Sequence, residues 1–167
     1  MELERDWKTI KHAFACGITS SKHVAIGSVD QFGQPHVTPI GFCFLRDTPA
    51  AFYFDQYPQV LSRNIECNRR VCLMSVQSGN FFWMRALQQC RFPSLPGIRL
   101  HGEVDDPREA TAEELQLLAR RIGWARHLPG AKLIWSGLHT VRDIKVTSVF
   151  PVTYPRMMEH LVSANGS

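Results

Sequence analysis

No stretch of this chain reaches the roughly 18–20 consecutive apolar residues needed to span a bilayer, and the opening MELERDWKTIKHAF lacks the apolar segment of a secretory signal. A membrane role is therefore not expected. Cysteine is present but without useful spacing. The five residues Cys16, Cys43, Cys67, Cys72 and Cys90 are odd in number and form no C-x-x-C pair. This argues against a disulfide framework or a zinc site and for reduced thiols in a cytoplasmic protein. The seven histidines (12, 23, 36, 101, 127, 139, 160) show no H-x-x-H or H-x-x-x-H spacing, so no metal ligand set is read from them. A P-loop, a G-x-G-x-x-G turn and a nucleophile–base pair are also missing. Nor is there a basic stripe: the formal net charge is +4, yet only Arg69–Arg70 and Arg120–Arg121 are adjacent arginines. That excludes a typical nucleic-acid surface and suits an anionic small molecule.

What is present is a chain of 167 residues, 44% hydrophobic and 20% charged, enough to bury a sizeable core in a single domain over 1–167. Leu3, Trp7, Ile10 and Phe14 fall at i, i+4, i+7 and i+11, so an amphipathic helix is expected over 2–15, with Gly17 as its C-cap. Strands follow at 23–29 and 35–45, joined by the hairpin Asp30-Gln31-Phe32-Gly33-Gln34, with Pro39 acceptable only at an edge or bulge. A turn at 46–49, a strand at 51–54, a loop at 55–58 and a short helix at 59–68 come next, the helix burying Leu61 and Ile65. Further strands are expected at 71–76, 98–104 and 141–150, the last with Ile144 and Val146 on one face. Thr111 and Glu114 form a capping box that opens a helix over about 111–126, with Leu115, Leu118, Ile122 and Ala125 on its buried face. The aromatic run Phe81-Phe82-Trp83 is read as core or interface, and Tyr154 onward as a short tail. About six strands, hairpin-like connections and three helices give a mainly β fold, an antiparallel barrel over about 22–150 with peripheral helices.

Three stretches carry a resemblance to a known family. Residues 25–42 (AIGSVDQFGQPHVTPIGF) are similar to the opening hairpin of flavin-binding split barrels. Residues 52–76 (FYFDQYPQVLSRNIECNRRVCLMSV) follow that family's order of strand, loop, short helix and strand. Residues 97–107 (GIRLHGEVDDP) resemble its strand leading to the next helix. The chain thus resembles the flavin mononucleotide (FMN)-binding split-barrel family that includes pyridoxamine 5'-phosphate oxidase. The resemblance implies a homodimer with FMN bound between subunits, acting with a small-molecule substrate as an oxidoreductase.

Carried onto this chain, the resemblance puts His36 where an arginine is common and lays Val37, Thr38 and Pro39 as a backbone shelf under the flavin ring. Phe54 and Asp55 stand where an aromatic residue and a threonine are usual. Arg63 and Asn64 are the nearest candidates for the phosphate, and Trp83 and Arg85 would lie near the flavin edge or the dimer interface. Gln59, Val60 and Leu61 replace the oxidase pattern of serine, arginine and lysine, which leaves a second reading open. On that reading the split-barrel dimer has lost strong FMN affinity and binds another ligand, with haem or a deazaflavin ranking lower. The C-terminal YPRMMEHL lacks the closing substrate motif of the B6 oxidase. The substrate itself is not legible.

Overall fold

The computed structural model describes residues 1–55, 59–135 and 137–163; positions 56–58 of the expected 55–58 loop lie outside them. Helix α1 (Trp7–Ser21) is followed by β1 (Val24–Val29), β2 (Pro35–Ile40), β3 (Cys43–Leu45) and β4 (Ala50–Phe54). Then come α2 (Gln59–Cys67), β5 (Arg70–Val76), α3 (Asn80–Gln89), β6 (Gly97–Val104), β7 (Arg108–Glu109) and α4 (Ala112–Ile122). A 3₁₀ turn (Gly123–His127), α5 (Pro129–Trp135), β8 (Thr140–Pro151) and α6 (Pro155–Ser163) complete the chain.

All strand pairings are antiparallel, in the order β2-β1-β5-β6-β8-β4-β3, with β7 on β8. The expected single strand over 35–45 is two strands, and they occupy opposite edges of the sheet. Only Gly41 and Phe42 join them. Three chain steps reach about 11 Å at most, so the sheet must curl until its edges nearly meet. The result is a split barrel. Gly33, at φ 85°, supplies the left-handed position of the β1–β2 hairpin. Both β2 prolines sit on an edge strand, where a missing N–H costs no ladder bond.

The interior alternates as the pleat requires. Val24 and Ile26, Val71 and Leu73, Ile98 and Leu100, and Ile144 and Val146 face inward and meet Trp7, Ile10, Phe14 and Ile18 of α1 and Leu61 and Ile65 of α2. Of the expected apolar stripe, Trp7, Ile10 and Phe14 lie on the buried face of α1, whereas Leu3 precedes the helix, which begins at Trp7 and not at residue 2; nor is Gly17 its cap. The helix runs on to Ser21, and Lys22 takes the left-handed position at φ 68°. Gly17 instead lets α1 touch β5, because a Cβ there would stand 2.1 Å from Ser75 Oγ.

A second cluster covers the outer face of β3 and β4. Phe52 and Phe54 pack with Leu118 of α4, Leu138 and Val141. The capping box forms, with Glu114 N–H donating to Thr111 Oγ1 and Thr111 N–H to Glu114 Oε2. The α4 face is rotated from expectation: Glu114 and Leu118 are buried, whereas Leu115 is 40% exposed. Among the described residues, the outer face of β1, β2, β5 and β6 has no such cover. Residues 81–84, given no element from sequence, lie in α3, whose Phe82 and Trp83 pack on Phe92, Met157 and Met158. The expected tail is likewise partly helical, as α6.

Candidate functional site

Of the three concavities lined by residues of β2, two bear on the candidate site. The first, about 390 Å³, is lined by Thr38 to Gly41 at the end of β2, by Phe42 and Phe54, and by Ile134, Trp135 and Leu138 from α5 and the segment after it. None of these side chains is charged. Trp135 meets Phe42 edge-on, ring centroids 5.9 Å apart, so one wall is aromatic. A flat apolar ring fits such a slot.

The second, about 440 Å³, lies between the hairpin and α2 and is lined by Asp30, Phe32 and His36 on one side and by Val60, Arg63, Asn64 and the exposed Glu66 on the other. Its groups are not equally available. Asp30 Oδ1 accepts the backbone N–H groups of Phe32 and Gln34, each at 2.9 Å, a local turn that fixes the hairpin. The Gln34 N–H, helped by His36, holds the Asp30 carboxyl below its usual range against the opposing effect of desolvation. His36 Nε2 lies 3.3 Å from Asp30 Oδ2. Asn64 is buried, and its Nδ2 donates to buried Ser28 Oγ at 3.0 Å, which fastens α2 to β1. Arg63 is exposed and has no carboxylate partner among the described residues; its Nε donates only to Gln59 O at 3.4 Å. It is the available cation of this cleft.

Asp55 belongs to neither cavity. Its carboxylate accepts from Arg142 Nε and, at 2.9 Å, from Ser62 Oγ. The Asp55 and Arg142 side chains are only 4% and 8% exposed. A buried carboxylate this well paired projects little charge outward. Arg142 went unread in the sequence, though the signal existed: it alternates with Ile144 and Val146 and so had to face the barrel interior. Beside it the Tyr53 hydroxyl is buried with no hydrogen-bond partner among the described residues, and burial, then Asp55, push its ionisation upward. Cys43 is also buried, which drives its thiol up to about 12 and leaves it inert.

The eight sequence candidates therefore divide. Thr38, Pro39 and Phe54 share the apolar slot, and His36, Arg63 and Asn64 share the polar cleft. Val37 points outward from the sheet, 73% exposed, and Asp55 is internal. Trp135 and Leu138 were missed, because nothing in 128–139 signals an element that returns to β2. Trp83 donates to Gln77 O at 2.7 Å and packs on Phe92 and Tyr154, while Arg85 is exposed. Leu61, set where the resemblance has a phosphate-directed lysine, is fully buried in the interior core. Among the described residues no three His, Cys, Asp or Glu side chains are grouped for a metal, and no helix is long and apolar enough to cross a membrane.

The pyridoxamine 5'-phosphate oxidase family model matches residues 10–153. Among solved structures, an FMN-binding protein from Syntrophomonas wolfei superposes with a TM-score of 0.61 at 12% identity, covering 90% of each chain. HupZ from group A Streptococcus gives 0.56 at 19% identity, covering 84% of this chain and 91% of that one. HutZ, the haem storage protein of Vibrio cholerae, gives 0.51 at 15% identity, covering 90% and 95%. No curated protein matches the sequence. With the family match running from within α1 past the end of β8, and with the curled antiparallel sheet it describes, the chain belongs to the pyridoxamine 5'-phosphate oxidase family of split barrels.

Proposed function

We propose that the protein is a homodimeric, cytoplasmic FMN-binding oxidoreductase acting on a small organic molecule. One observation carries this reading: a ring-sized apolar slot and a cleft holding an unpaired guanidinium are lined by neighbouring residues of the same strand, His36 in one and Thr38 to Ile40 in the other. Strand residues rise about 3.3 Å each, so the span from His36 to Ile40 is roughly 13 Å, suited to a ligand with a flat ring at one end and an anion at the other. The ring end fits well, with the Thr38–Gly41 backbone, Phe54 and Trp135 as contacts. The anion end rests on Arg63, with His36 as a second donor. Asp55 does not oppose it, since its charge is taken up by Arg142. FMN, when bound, supplies the electron chemistry; the protein's residues hold its two ends and keep water from the ring.

A second reading has its own support. Leu61 is buried and Asn64 is committed to Ser28, so the cleft offers fewer phosphate donors than the sequence pattern of the family calls for. On this reading the same dimer binds FMN weakly and takes another ligand, haem or a deazaflavin among them. The absorbance spectrum of the purified protein, before and after addition of FMN, separates the two. A flavin band retained through gel filtration is expected. Arg63→Ala should weaken FMN about tenfold to a hundredfold, the loss of one charge-assisted phosphate contact. Superimposed wild-type and variant titrations would remove Arg63 from the site, and no retained flavin would favour the second reading.

A further inference from the structure

At the far end of α4 an exposed aromatic ring stands among cations that have no carboxylate partner among the described residues. Gly123 leaves the helix at φ 58°, a conformation open to glycine, and the next residue, Trp124, is 75% exposed. Gln116, Arg120, Trp124, Arg126 and His127 line one open concavity of about 630 Å³, with no acidic residue in its wall. Arg120 and Arg121 lie in the last turn of α4, where a cation offsets the helix dipole. Arg121 is in addition held over the Phe44 ring, 5.2 Å from its centroid. Dipole compensation does not explain Arg126, His127 or the indole, which lie beyond the helix. Arg126 Nε donates to His127 Nε2 at 3.2 Å, so that nitrogen acts as acceptor and Nδ1 is left to donate. Neither Arg120 nor Arg126 has a carboxylate partner among the described residues.

We propose that this concavity is a second ligand site, distinct from the β2 slot, for a planar aromatic carrying phosphate, of the size of a nucleoside diphosphate. The indole offers a face on which a nucleobase can stack. Arg120 and Arg126 offer paired N–H donors matched to phosphate oxygens. The 3₁₀ turn that carries Trp124 and Arg126 leads directly into α5, which supplies Ile134 and Trp135 to the wall of the β2 slot. Occupancy here therefore bears on an element of the first site.

Isothermal titration with ADP, in the presence of saturating FMN, tests the assignment. The expected result is saturable binding that weakens as salt rises, falls about tenfold in Arg126→Ala and in Trp124→Ala, and is largely kept in Trp124→Phe. All these positions are on the surface, so melting temperatures should stay near that of the wild type. Competition by FMN would put ADP in the cofactor slot and overturn the proposal. So would equal affinity for inorganic phosphate, which would make this a bare anion patch, or an absence of binding into the millimolar range. If FMN does not bind at all, the Arg126→Ala and Trp124→Ala titrations still locate ADP, because this site shares no residue with the slot or the cleft.

Discussion

Leu61 shows how much one side chain decides. Its place on the first turn of α2 is where the family resemblance would have a lysine reach toward phosphate, yet the helix turns it into the barrel beside Ile65. The cation available to the cleft is Arg63, two positions on and outward-facing. Leu61→Lys should therefore bury a charge with no partner, at a cost of upwards of about 3 kcal/mol. At this chain length that is a fall of roughly 10 °C in melting temperature, with no gain in FMN affinity. Thermal unfolding and flavin titration of the one variant check both halves. Tighter flavin binding with an unchanged melting temperature would return position 61 to the phosphate site.

The helices divide into those that pattern revealed and those that packing chose. The α4 capping box was legible because its two residues interact locally. Which face α4 buries was not, because Glu114 is drawn inward by arginines outside the helix, Arg108 on β7 and Arg46 after β3. Arg108 donates to its two oxygens at 2.9 and 2.7 Å, and Arg46 also reaches it. Both arginines bind Asp143 of β8 as well. This four-charge cluster ties α4 to the sheet and turns Leu115 toward solvent. In the same way Gly17 looked like a stop and proved to be a close contact with β5, and α3 was hidden by an aromatic run without clear period. Hairpins and strands were legible because alternation is local; the meeting of slot, cleft and α5 was not, because it depends on how the sheet curls.

The cluster predicts a pH response at the scale of this element. Arg108 first, then the Thr111 N–H and Arg46, hold the Glu114 carboxyl down from 4.5 to about 2 against desolvation. A carboxylate whose folded value is depressed contributes stability that is fully present above its unfolded value and is lost as pH falls toward the folded one. The contribution, on the order of 3 kcal/mol at neutral pH, should fade between about pH 4.5 and about 2. Glu114→Gln should thus lower the melting temperature at pH 7 and differ little from the wild type near pH 2. A constant gap across that range would show that Glu114 acts through packing alone.

At the scale of the molecule, the outer surface is unevenly dressed. Helices α4 and α5 cover β3 and β4, but the opposite half of the sheet exposes a broad, mostly small or apolar row. Cross-strand pairing sets Val37 beside Gly27 and Cys72, and Pro39 beside Ala25, Met74 and Arg99, whose far neighbour is Phe150. Val37 is 73%, Met74 39% and Phe150 43% exposed. Growth along the β2 edge is disfavoured. Residues 35, 37 and 39 point their backbone groups to the same side, and two of these three are prolines without an N–H. Association is thus directed face to face. A two-fold pairing of this surface would give the homodimer proposed above, and stable interfaces of that kind bury upwards of about 1,600 Å². Light scattering should return twice the chain's 19.0 kDa. The double variant Val37→Asp, Met74→Glu puts like charges at the centre of the pairing, where two-fold symmetry doubles them, and should shift the protein to monomer at micromolar concentration. Both side chains point away from the interior, so the monomer should stay folded by circular dichroism. A wild type of 19.0 kDa across a wide concentration range, or a dimer indifferent to both charges, would mean that this face is not where two copies meet.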